Sequence, residues 1–242
     1  MKKTLLTLAL SGSLLASAPL FAQEIDLSIT NLTNATYFTP LLVAVHNRHT
    51  NLFEPGVAAS ENLQAMAEGG NISGLIDDVI AGGGDYVADP AGGLLAPGAT
   101  AEAVIDLRGH HNRNRNLSLV GMLLPTNDGF VGLDSLKIPR KPGTYTVYLN
   151  GYDAGTEAND EIITGGGAPN TPGVPADPGG NAGSGGIASV GPDHNPTVHI
   201  HRGVIGDDDP NGGPSDLDAR VHGWQGPVAK LVIRVGRNSY DD

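Results

Sequence analysis

Short runs of alternating apolar and polar residues recur along this chain, with turn-forming residues between them. A period of two is typical of β-strands that bury one face. The gaps are rich in glycine and proline, which account for 35 and 17 of the 242 residues and break the chain into turns. Seven runs predict strands, at 25–31, 41–47, 101–107, 116–124, 144–150, 197–203 and 228–235. The pattern therefore predicts an all-β fold, an antiparallel β-sandwich.

Two segments depart from this alternation and predict short surface helices that pack against the sheet. They lie at residues 57–68 and 73–81, and Ser73 is placed to cap the start of the second helix. The apolar side chains expected on the packed faces are Leu63, Met66, Ala67, Leu75, Ile76, Val79 and Ile80.

A glycine- and proline-rich segment at residues 165–186 interrupts the strand pattern between the predicted strands at 144–150 and 197–203. Thirteen of its 22 residues are Gly or Pro, and it carries a single charge. Such a composition buries too little apolar surface to offset the entropy of ordering, so the segment predicts a mobile loop. We expect the loop to lie within one domain that spans residues 23–242.

The N-terminal 22 residues have the features of a secretory signal peptide. A cationic start at Lys2 and Lys3 precedes a short apolar run and small residues, and cleavage is expected after Ala22. No later run is long and apolar enough to span a membrane. The mature chain is therefore expected in the periplasm or outside the cell.

The net charge limits which partners the chain can bind, and the cysteine content decides whether disulfides can stabilise it. The formal net charge is −12, and loss of Lys2 and Lys3 with the signal peptide lowers it to −14. This acidity disfavours nucleic acid as a partner and favours cations. The chain has no cysteine, so no disulfide stabilises the exported domain.

Acidic side chains follow two of the predicted strands. Asp128 comes after the strand at 116–124, and Asp153 and Glu157 come after the strand at 144–150. The C-terminal ends of the two strands meet only if an intervening strand near 130–137 lets both flanking strands run in one direction. Three carboxylates with backbone carbonyls and waters would suit a calcium ion, while a solvated acidic turn is the alternative.

Several motifs resemble those of the spondin domain, a module of F-spondin-type matrix proteins that also occurs in bacterial-type secreted members. They are NDGFVG at 127–132, DAGTE at 153–157 and SDLDARVHGWQGPVAKL at 215–231. The resemblance covers about residues 25–236 and implies a C2-like antiparallel β-sandwich with a calcium ion in its end loops. The acids that it implies as ligands are Asp128, Asp153 and Glu157, with Glu157 standing where animal members have Asp.

Two further groups of residues offer metal-site alternatives. His199 and His201 lie two apart in a predicted strand, where they could ligate zinc together or form an exposed polar face with Val198 and Ile200 inward. The acids of 207–218 lack the order of an EF-hand loop, so that stretch is expected to be a solvated linker, with a second cation site as the alternative.

The sequence predicts a secreted calcium-binding module for adhesion or interaction, without catalytic activity. It contains no GxSxG or HExxH motif and no cysteine nucleophile. The expected partners are a calcium ion and a surface glycan or protein. Two alternatives remain: an exported metal-dependent hydrolase that uses His199 and His201, and an ion-free domain that binds a glycan or a protein.

Overall fold

Ten strands and two short helices make up the computed structural model, which describes residues 24–107, 115–188 and 195–236. The elements are β1 (Glu24–Asn31), β2 (Tyr37–Phe38), β3 (Leu42–His46), α1 (Glu61–Gly69), α2 (Ser73–Ala81), β4 (Asp85–Ala88), β5 (Thr100–Asp106), β6 (Asn116–Leu124), β7 (Gly129–Lys137), β8 (Gly143–Asp153), β9 (His199–Ile200) and β10 (Ala229–Val235). The signal peptide predicted at residues 1–22 lies outside the described residues.

The strands form one curled antiparallel sheet in the order β4-β3-β6-β7-β8-β10-β1-β5, with β2 beside β6 and β9 beside β8. Strand β8 joins its two layers, because residues 143–149 pair with β10 and residues 150–153 pair with β7. The edge strands β4 and β5 contact each other, so the sheet nearly closes. The predicted all-β antiparallel fold is confirmed, and its two layers are parts of one continuous sheet.

The main core lies between the two layers. In β5 and in the first four residues of β1, exposed and buried residues alternate, and the inward side chains include Ile25, Leu27 and Ile105. All five residues of β3 and the last eight of β6 are buried. The two strands are buried on both faces because helices cover the outer surface of their layer. Among the described residues, the core that the helices form includes no residue of β1 or β5.

A second core packs the two helices onto β3, β6 and β7. The predicted inward residues Leu63, Met66 and Ala67 are buried, as are Leu75 and Val79. The inward prediction for Ile80 is wrong, because that residue is 55% exposed. A nine-residue helix presents only a narrow stripe to the sheet, and Ile80 lies beyond it.

The start of α2 is capped differently from the prediction. Ser73 is the first helical residue rather than the cap, and its N–H donates to Asn71 Oδ1 at 3.0 Å. Ile72 occupies the cap position and makes no side-chain cap hydrogen bond. The Asn71 side chain thus accepts from the N–H of Ser73 itself, whereas a Ser73 cap would have accepted from an N–H two or three residues later.

The glycine- and proline-rich segment at 165–186 packs against the domain at several points. Val174 is fully buried and forms a bridge with Ile163, so the segment contributes one apolar side chain to the interior. Backbone N–H groups of the segment also donate to acids elsewhere: Asn170 N–H to Glu68 and Gly186 N–H to Asp216. Polar contacts replace much of the missing apolar burial, while mobility of the segment stays a prediction.

No helix within 24–107, 115–188 and 195–236 is long and apolar enough to cross a membrane.

Candidate metal centre

Two of the predicted acids lie at one end of the sheet, where β7 begins and β8 ends. Asp128 immediately precedes β7, and Asp153 is the last residue of β8. The two strands are antiparallel neighbours, with Gly129 paired to Asp153. Strand β7 is the intervening strand that convergence of the acids required. Asp128 and Asp153 are 0% and 1% exposed, so the fold brings both acids together in its interior.

Asp128 has one satisfied and one unsatisfied carboxylate oxygen. Its Oδ2 accepts hydrogen bonds from the Thr156 N–H (2.8 Å), the Thr156 hydroxyl (3.2 Å) and the Glu157 N–H (3.1 Å). Its Oδ1 is buried and accepts no hydrogen bond from the residues that the structure describes. Burial, followed by the neighbouring Asp153 charge, raises the pKa of Asp128 to about 7. Both causes disfavour the charged form of this carboxylate.

Asp153 is held by the turn that follows it. Its Oδ1 accepts from the Gly155 N–H at 2.8 Å, and its Oδ2 accepts from the Asn159 side-chain amide at 2.7 Å. The Nε2 atom of His199 lies 3.8 Å from the same Oδ2. These contacts fix the carboxylate next to Asp128.

Glu157 contributes its backbone and its side chain to different parts of the site. Its N–H donates to Asp128, while its Oε2 accepts from the Gly173 N–H (3.3 Å) and the Asn127 amide (3.4 Å). Its Oε1 is buried and accepts no hydrogen bond within the described part of the chain. Burial raises the pKa of Glu157 to about 7, helped by repulsion from Glu68. The Glu157 side chain thus faces Glu68 as well as Asp128.

This corner offers oxygen donors of the class that calcium takes, without a complete ligand group among the described residues. Among the described residues, no three His, Asp or Glu side chains form a ready-made metal-binding group. The fold does assemble the Asp128–Asp153 pair and two buried carboxylate oxygens, Asp128 Oδ1 and Glu157 Oε1, that lack hydrogen-bond donors. Calcium accepts backbone carbonyls and water beside carboxylates, so hard oxygen atoms short of positive charge suit it.

Comparison with known families decides the relationship that the motifs suggest. The Spondin_N family model matches residues 30–177, more than half of the chain. The chain belongs to the spondin N-terminal domain family. No curated protein matches it. The match includes Asp128, Asp153 and Glu157 of the spondin domain and ends before His199 and the acidic stretch at 207–218.

The histidine pair of this spondin domain does not form the expected exposed face. Strand β9 covers only His199–Ile200; Val198 is buried as predicted, but Ile200 is 55% exposed and His201 is buried. The inward prediction for Ile200 and the outward one for His201 are therefore wrong. His201 packs its ring beside Trp224, with ring centroids 5.1 Å apart, and its Nδ1 accepts from the Gly203 N–H. The aromatic contact reverses the alternation that the sequence predicted.

Two acids of the stretch at 207–218, Asp216 and Asp218, are bound to protein donors. Asp216 accepts from the Gly186 N–H and the Ile163 N–H, one on each oxygen, both at 2.9 Å. Asp218 accepts from the Arg220 guanidinium at 3.0 and 2.6 Å, and this hydrogen bonding lowers the pKa of Asp218 to about 2. Asp216, at 6% exposure, shows that the stretch is partly packed rather than wholly a solvated linker.

Two asparagines of the site were not assigned from the sequence. Asn159 holds Asp153, and Asn127 joins the two loops by donating to Glu157 and Asp160 and accepting from the Glu161 N–H. Both stand next to predicted acids or within their turns, in NDGFVG and ANDE. Their position beside the acids is the sequence signal that points to them.

Proposed function

We propose that this spondin domain is a secreted, non-catalytic interaction module whose Asp128, Asp153 and Glu157 side chains hold a calcium ion. The observation that carries the proposal is the buried Asp128 Oδ1, which lacks a hydrogen-bond donor among the described residues and lies beside a second buried aspartate. A buried carboxylate pair of this kind is costly without a positive charge. A divalent cation supplies that charge.

The ion would stabilise the loop end of the sheet. Asp128 belongs to the β6–β7 turn and Asp153 and Glu157 to the end of β8 and its following turn, so a shared ion cross-links two loops. A ligand that binds only the folded state stabilises it by about 2.7 kcal/mol at a hundredfold excess over Kd. The expected role of the ion is therefore to fix the loops that a partner contacts.

The burial of the acids supports a binding role rather than catalysis. Asp128 and Asp153 are at most 1% exposed, so neither carboxylate faces the surface from which a substrate would approach. Both Asp153 oxygens accept hydrogen bonds from protein donors. The partner class that we propose is a surface glycan or a protein, since the net charge of −12 repels nucleic acid.

Calorimetric titration of chelator-treated protein with calcium tests the proposal. We expect one binding event in the wild type, its loss in Asp153→Asn, and weaker binding of magnesium, which demands a tighter octahedral shell. Asp209→Asn is the matched control, because it removes one exposed acid outside the centre. Absence of calcium uptake by the wild type at millimolar concentration would contradict the proposal.

A further inference from the structure

We propose that His199 is a nitrogen ligand of the same centre, so that the site takes zinc or a similar borderline divalent cation in addition to calcium. The inference rests on the proposed function, because Asp153 is the shared ligand. It concerns a residue outside the family match, which ends at residue 177.

The sheet places His199 directly across from Asp153. The two residues are register partners in the antiparallel pair of β8 and β9. Opposite residues in such a pair present their side chains to the same face, with Cβ atoms about 4.5–5.5 Å apart. The His199 Nε2 accordingly lies 3.8 Å from Asp153 Oδ2. Two ligand atoms that are each about 2 Å from one zinc ion lie roughly 3 Å apart, so a small side-chain movement brings this pair to ligand spacing.

The hydrogen bond at Nδ1 fixes the orientation of the His199 ring. Its Nδ1 lies 2.8 Å from the Thr197 carbonyl oxygen. A carbonyl oxygen only accepts, so Nδ1 carries a proton in this contact, and Nε2 is the ring atom that faces Asp153. Metal-bound histidines almost always donate their second N–H to a carbonyl or carboxylate, as His199 does.

A glycine in the acidic turn lets the segment before His199 approach the centre. Gly155 has φ +71°, and a Cβ there would lie 2.7 Å from Asn195 O and from Thr197 N. The Asn195 side chain in turn accepts from the Thr197 N–H and hydroxyl. The His199 side chain is 28% exposed, which leaves the ring accessible from solvent. The ring is thus positioned before any ion binds.

The ligand chemistry separates the two classes of cation. Imidazole nitrogen suits zinc, copper, iron and nickel, whereas calcium takes oxygen ligands. Loss of His199 should therefore weaken zinc binding far more than calcium binding. Loss of Asp153 should weaken both.

Titration of the chelator-treated full-length protein with zinc and, separately, with calcium tests this inference. Loss of an outer-shell partner alone costs about 10- to 100-fold in metal affinity, so we expect His199→Ala to weaken zinc binding at least tenfold. The same variant should change calcium affinity by less than about threefold. His49→Ala, which removes an exposed histidine on another loop, is the matched control and should change neither.

Nitrogen-15 NMR of the imidazole rings supplies a second readout. Zinc should shift the Nε2 resonance of one ring, and that resonance should be missing in His199→Ala. If calcium binds the wild type but zinc does not, or if zinc binds His199→Ala equally well, the inference is wrong and the proposed function stands. If neither metal binds the wild type, both are wrong.

Discussion

Two groups of buried acids in this spondin domain show how differently a protein can treat a carboxylate. At the β7–β8 corner, Asp128 and Glu157 each keep one buried oxygen without a donor among the described residues. In the neighbouring group, Glu161 accepts from the Ile205 N–H, the Gly206 N–H and the Ser215 hydroxyl, at 2.7, 2.7 and 2.8 Å. Asp216 is bound by backbone N–H groups on both oxygens.

A candidate cation site is therefore distinguished by buried carboxylate oxygens that lack hydrogen-bond donors, rather than by the number of acids. The stretch at 207–218 carries more acids than the β7–β8 corner, yet its buried acid, Asp216, has a donor on each oxygen, as a buried charge needs. The corner has crowded carboxylates and too few donors. A shortage of donors, as at the corner, leaves a role for an added positive charge.

The largest effect is expected at Glu161, whose carboxylate acts without an ion. Glu161→Ala removes the acceptor of three donors, each of which costs about 1–3 kcal/mol when left unsatisfied, so the free energy of unfolding should fall by about 3–5 kcal/mol. The fall should be the same in calcium and in chelator. Urea denaturation in both buffers measures the free energy of unfolding. If calcium restores the stability that Glu161→Ala loses, the distinction between the two groups of acids is wrong.

The next effect is a dependence of folding stability on pH that comes from the acids of the β7–β8 corner. In chelator the pKa of Asp128 is about 7 in the folded protein, above its ordinary value of 3.8, so the folded state binds the extra proton between these values. Stability should therefore fall as pH rises from about 4 to 7, by on the order of 3 kcal/mol for Asp128, with Glu157 acting in the same direction.

Calcium should change this pH profile. The ion binds the deprotonated carboxylates, so its stabilising effect should grow over the same interval. Thermal melts between pH 4 and 8, with and without calcium, measure both slopes. A stability in chelator that rises steadily through this interval would contradict the buried, repelling pair.

A smaller and opposite effect is expected from Asp128→Asn. Asparagine keeps an acceptor for the Thr156 and Glu157 N–H groups and removes one of the two repelling charges. In chelator at pH 8 the variant should be more stable than the wild type by about 1 kcal/mol, and calcium should no longer stabilise it. Differential scanning calorimetry compares the two proteins, and a variant that is less stable in chelator but still responds to calcium would refute the assignment.

Much of the fold could be predicted from the period of the apolar residues. The strand at 116–124 was predicted with the bounds that the structure shows, and the buried helix residues Leu63 and Met66 were identified. The two-residue strand β2 was missed, because so short a pairing leaves no period in the sequence. His201 was misplaced because its contact with Trp224 lies 23 positions away and cannot be inferred from alternation.

The candidate site was predicted in outline from turn position and motif. Strand order explains why Asp128 and Asp153 meet. The sequence leads us to expect a strand near 130–137 between the strands that precede the two acids, and β7 is that strand. The hydrogen bonds that leave Asp128 Oδ1 unsatisfied, and the approach of His199 to Asp153, depend on long-range register. No local pattern encodes that register, so these features emerge only from the assembled sheet.

Diffraction from crystals soaked in calcium tests the central claim most directly. The account predicts an ion within about 2.3–2.6 Å of Asp128 Oδ1 and of an Asp153 oxygen, with no ion bound at 207–218. Anomalous scattering identifies the ion, and Asp153→Asn crystals should lack it. An empty corner at saturating calcium, or an ion bound only by the acids of 207–218, would contradict the account.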